Sequence, residues 1–104
     1  MNCYQSYQDE ELLLLLNNSD KDAFTEIYNR YWAELFGIAY NRLQQAVTAE
    51  DVVHDVFLSL WKNRSAQNIL QLENYLAIAT KYCVLAKIKK LHQQKSFSNR
   101  IQHT

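Results

Sequence analysis

Apolar and polar positions recur with a helical period along most of the chain. The clearest stretch is Thr48 to Asn63, TAEDVVHDVFLSLWKN, with apolar residues at Val52, Val53, Val56, Phe57, Leu60 and Trp61. At about 100° per residue these six cover roughly half of a helix circumference. Thr48 stands where an N-cap hydroxyl belongs and Asp51 follows three residues later, so the pattern predicts a helix that starts there. Asp51, His54, Asp55, Leu58 and Lys62 fall on the opposite side. Leu58 is out of place among them. It is either a boundary leucine beside Trp61, as single exposed leucines are common, or an apolar knob ringed by charges that another protein covers.

Three further helices follow from the same periodicity. Asp9-Glu10-Glu11 puts acids at a positive helix N-terminus, the leucines to Leu16 follow, and Asn17-Asn18 ends a short helix. Ser19-Asp20-Lys21-Asp22 resembles a second capping box. Behind it Phe24, Ile27, Tyr28, Tyr31, Leu35, Ile38 and Ala39 mark one face of a long helix to about Leu43. Trp32 and Phe36 widen that face, so two neighbours should cover it. Gly37 within the helix costs about 1 kcal/mol relative to alanine, which a close helix crossing would justify. Gln44 to Val47 is a short connection, and short connections give antiparallel neighbours. After Arg64 to Gln71 (RSAQNILQ), Leu72-Glu73-Asn74 opens a last long helix, with Leu72, Tyr75, Leu76, Ala79, Cys83 and Ala86 turned inward. The prediction is all-α: a compact bundle of three long helices plus a short N-terminal one. Residues 1–8 form a flexible N-terminus, 9–91 the folded domain, and 92–104 a polar, mobile tail or linker.

Composition supports this and removes most enzyme classes. No proline and one glycine leave a β-rich fold without its turn residues, and they rule out a Gly-rich phosphate loop. Neither HExxH, GxSxG nor a Cys/His metal spacing occurs. His54, His92 and His103 lie in separate segments. Asp51 with His54 is an acid-x-x-His pair, but a di-metal bundle needs a second copy. Asp51 and Asp55 lie one turn apart with no recognisable pocket-forming element around them. The reading is therefore no enzyme, no cofactor and no metal. Cys3 and Cys83 are far apart, and Cys83 on an apolar face reads as a buried, reduced thiol. Leu12 to Leu16 is too short for a membrane span or a signal h-region, which points to the cytoplasm with no membrane insertion.

The formal net charge of zero conceals a split. Residues 1–60 hold ten acids and three bases, a net −7, while residues 61–104 hold one acid and eight bases, a net +7. A basic C-terminal part suits a polyanion. Single-stranded nucleic acid is held by cations along its phosphates and by aromatics on which bases stack. Lys62, Arg64, Lys81, Lys87, Lys89 and Lys90 offer the first, and Tyr75 and Tyr82 the second. For each tyrosine core packing is the alternative, and Tyr75 keeps period with Leu72 and Ala79.

The segment DVVHDVFLSLW, Asp51 to Trp61, resembles the DLVQEVFLRLW pattern of bacterial RNA polymerase sigma factors of the extracytoplasmic-function group. AFTEIYNRYWAELFGIAYNRL is similar to region 2.1 of that family, and the similarity runs from about Asp9 to Leu91. The resemblance implies that Asp51, Val52, His54, Asp55, Leu58 and Trp61 contact the clamp helices of the polymerase β′ subunit. It implies that RSAQNILQ, including Ser65 and Asn68, captures a flipped promoter base. The last helix would then hold the non-template strand of the minus-ten element as it unpairs. Ile78, Tyr82 and Ala86 depart from the arginine, asparagine, and asparagine or aspartate that are common in relatives. The family's second DNA-binding domain has no counterpart within these residues. An anti-sigma protein is a further implied partner. The competing reading is a degenerate helical interaction module that binds polymerase or a regulator without DNA activity.

Overall fold

The computed structural model describes residues 4–65 and 69–103, with side chains through Leu91. Four helices follow in order: α1 (Asp9–Asn17), α2 (Lys21–Leu43), α3 (Ala46–Lys62) and α4 (Leu72–His103). No strand occurs among the described residues. The predicted all-α bundle of three long helices and a short one is the observed fold.

Each start has an identifiable cause. The Gln8 amide donates to Glu11 Oε1 at 2.8 Å, closing a capping box ahead of α1. Asp20, not Ser19, caps α2, its Oδ1 accepting from the amides of Asp22 (2.9 Å) and Ala23 (3.1 Å). Ser19 instead takes a left-handed conformation, φ 64°, that turns the chain out of α1. The α3 start also differs from expectation. The helix begins at Ala46, with Gln45 in extended conformation at the N-cap. Thr48 lies inside the first turn and donates from Oγ1 to Gln45 Oε1 at 3.0 Å. The connection from α2 is thus shortened to Gln44 and Gln45, and Gln44 makes the turn in left-handed conformation, φ 58°.

Packing follows the predicted stripes. Leu12 and Leu16 of α1, Ile27, Leu35 and Ala39 of α2, and Ala49, Val52, Val53, Val56, Phe57 and Leu60 of α3 are buried. Leu72, Leu76 and Val84 of α4 complete the core. Phe24, near the start of α2, meets Phe57 edge-on at 6.4 Å and Trp61 at 5.3 Å, both near the end of α3. With a two-residue connection at the other end, α2 and α3 therefore run antiparallel.

Three expectations are corrected. Ala86 is exposed, while Thr80 and Val84 take the inward places on α4; Thr80 is tolerated there because its Oγ1 donates to the Leu76 carbonyl at 2.8 Å. Gly37 faces solvent, and a Cβ built on it would meet nothing within 4 Å, so no close crossing accounts for it. The α4 backbone continues as helix beyond Leu91 to His103.

Candidate functional site

Because the apolar stripe of α3 is spent on the core, its remaining residues are presented outward. Asp51, His54, Asp55 and Lys62 are exposed, and Leu58 keeps 42% of its surface among them. Val52 does not belong to this surface. It sits within the inward stripe between Ala49 and Val56 and is 1% exposed, out of reach of a partner. Trp61 is half-buried, packed against Phe24, and so is only partly accessible.

The outer side of α4 carries the expected cations. Lys81, Lys89 and Lys90 are exposed and Lys87 is half-buried. Tyr82 is 69% exposed, which decides against core packing, whereas Tyr75 is half-buried against the core. Ile78 and Leu85 are exposed on the same side as Tyr82, an i, i+4, i+7 row that makes this face apolar as well as basic.

The connection between α3 and α4 is less simple. Ser65 is exposed, and Asn68 lies outside the described residues. Arg64 is already engaged: its NH1 donates to the Trp61 carbonyl at 2.7 Å, its Nε to Ser19 Oγ at 2.9 Å, and its guanidinium lies 4.0 Å from the Trp61 ring centroid. A phosphate would have to displace those contacts. Beside Arg64 the connection and α1 enclose a groove of about 310 Å³, lined by Leu13, Leu14, Leu16, Ile69 and Leu70, with Glu10 at its edge. Sequence reasoning missed it. The signal was there in the five consecutive leucines of α1, which cannot all face one side of a helix; Leu12 and Leu16 are buried and Leu14 is left outside.

A polar cluster ties the N-terminal segment to α2. Arg30 donates to Asp9 Oδ1 (3.1 Å), Glu26 Oε2 (2.9 Å) and the carbonyl of Tyr7 (2.9 Å). Tyr31 donates its hydroxyl to the other oxygen of Asp9. Burial and the Asp9 carboxylate push the Tyr31 phenol well above its usual range. Tyr4 donates to Asp20 Oδ2 at 2.6 Å, and this bond with the Ala23 amide holds the Asp20 carboxyl below its usual value. In Cys83, burial foremost and the nearby Asp55 push the thiol up, away from reactivity. No cluster of three or more metal-ligating side chains occurs among the described residues, and none of their helices is long and apolar enough to cross a membrane.

No curated protein and no solved structure matches the chain. Residues 27–93, from the first third of α2 through α3 and most of the described part of α4, match the family model Sigma-70 region 2. Members of that family are non-enzymatic domains that bind RNA polymerase and recognise promoters in transcription initiation. With that match over well over half of its length and the four-helix bundle around it, the chain belongs to the sigma-70 region 2 family.

Proposed function

We propose that this is a region 2 domain of the extracytoplasmic-function type. The outer side of α3 docks on the clamp helices of the polymerase β′ subunit through Asp51, His54, Asp55, Leu58 and the accessible part of Trp61. Docking fixes α4 and the α3–α4 connection above the promoter in the cytoplasm. Lys62, Lys81, Lys87, Lys89 and Lys90 then follow the phosphates of the non-template strand, and Tyr82 offers a stacking face. Ser65, Asn68 and the apolar groove beside α1 receive an unpaired base. No bond is made or broken. The strand stays open because the bound assembly prefers it to duplex, exchanging pairing and stacking for protein contacts.

The observation that carries this reading is Leu58, a large aliphatic side chain 42% exposed in the middle of a charged face. The test is retention of core polymerase by the wild type and by Leu58→Asp. Loss of retention in the variant, with its helical content unchanged, is expected; equal retention would reject the docking face. An anti-sigma regulator would cover the same surface.

A second reading, an interaction module without DNA activity, is favoured by the apolar row Ile78, Tyr82 and Leu85 where a strand-binding face would be polar. Salt separates the two. Five lysine contacts to single-stranded phosphates give a log–log slope of about −3.5 for the polymerase-bound domain. A flat response would favour the module.

A further inference from the structure

The two outer faces complement each other. On α3, exposed Leu58 has Asp55 one turn before it and Lys62 one turn after it, and the exposed acids Glu50 and Asp51 lie a further turn toward the helix start. On α4, Ile78 (54% exposed), Tyr82 (69%) and Leu85 (50%) form a row between Lys81 and Lys89. One face is an apolar knob on a helix side whose N-terminal half is acidic; the other is an apolar strip in basic surroundings. Both lie on one chain whose formal net charge is zero and whose halves carry −7 and +7. Zero net charge removes the long-range repulsion that keeps proteins apart, and the opposed halves steer unlike faces together.

We propose that the α3 face of one copy docks on the α4 face of a second copy of this chain. The contact is heterologous, because the two surfaces differ, so a docked pair still offers one free α3 face on one copy and one free α4 face on the other. Copies therefore add head to tail, and each contact hides one α3 face and one α4 face. The molecule would be stored in a form whose polymerase-facing and strand-facing surfaces cover each other. Burial of three half-exposed apolar side chains and Leu58 drives the contact together with the charge pairs at the rim, which also set its orientation and without which it does not hold.

The test is analytical ultracentrifugation of the whole chain. At about 0.01 M salt, where the screening length is about 30 Å, the average mass should rise above 12.3 kDa with concentration. At about 1 M salt, where that length is about 3 Å, it should fall back. Leu58→Asp and Tyr82→Glu, both on exposed sites, should each weaken association at least about tenfold. Mixed together they should form a pair that grows no further, since each variant retains the face the other has lost. A chain that stays monomeric at low salt, single variants that associate like the wild type, or a mixture that stays monomeric would each overturn the contact. Self-association is read on the protein alone, so its failure leaves polymerase docking untouched.

Discussion

The guanidinium of Arg64 lies 4.0 Å from the centre of the Trp61 ring while its NH1 donates to the carbonyl of the same tryptophan at 2.7 Å. One side chain thereby covers a half-buried aromatic and adds a second donor to a carbonyl at the end of α3 that already accepts from the Arg64 amide at 3.3 Å. Its Nε reaches Ser19 at the α1–α2 turn, tying two connections together.

Arg64 thus acts within the domain. Arg64→Ala should cost about 1–2 kcal/mol of stability from the lost cation–π contact and hydrogen bonds and should red-shift tryptophan emission. The salt slope of strand binding should not change. Lys89→Ala should do the reverse, leaving denaturation unaltered and lowering the slope by about 0.7. An Arg64→Ala variant of full stability with a reduced slope would return Arg64 to the strand.

The contrast between these two cations marks where sequence reasoning stops. The stripes of α2 and α3 were legible because local spacing alone decides which side of a helix is apolar. Leu58 was legible for the same reason, as the residue that breaks the pattern. Arg64 looked like a phosphate ligand because nothing near it in sequence names Ser19 as its partner. The Arg30 cluster was hidden in the same way, joining Asp9 to a residue 21 positions later. Thr48 misled by resembling a cap, while the turn was made earlier by a left-handed Gln44. On α4 the inward stripe drifts with the helix, so Val84 replaces Ala86 in the core.

The Tyr31–Asp9 bond predicts a loss of stability at alkaline pH. Burial foremost, then Asp9 and Glu73, raise the folded-state pKa of Tyr31 above its ordinary value of 10.0, with Arg30 opposing. The folded protein then holds a proton that the unfolded chain releases, so stability is complete below about pH 10 and falls as pH rises beyond it. Tyr31→Phe should flatten this limb of a thermal-denaturation profile between pH 8 and 11, read against about 10 for a free phenol. Equal alkaline slopes in both proteins would remove Tyr31 as the source.

Gly37→Ala should stabilise the domain. The residue is inside α2 and exposed, and an added methyl group would touch nothing within 4 Å. Alanine is then favoured by about 1 kcal/mol through helix propensity, equivalent to a rise of about 4–8 °C in Tm for a domain of this size. A lower Tm would mean that some other state of the protein uses the open space above Gly37.

Leu58 and Leu60 lie two residues apart on α3 and on opposite sides of it, the first 42% exposed and the second fully buried. Leu60→Ala removes atoms from a packed core and leaves a cavity, so it should cost about 2–5 kcal/mol. Leu58→Ala empties no cavity and should change stability by less than about 0.5 kcal/mol. If the outer side of α3 is a docking surface, binding must rank them the other way. At a temperature where both variants are folded, Leu58→Ala should lower polymerase affinity about tenfold, as expected for an anchor residue. Leu60→Ala should bind almost as the wild type does. Urea denaturation and a binding titration on the same samples read both quantities. A Leu58→Ala that is stable and binds at full strength would make that leucine a simple boundary residue, and the apolar knob on α3 would have no partner to serve.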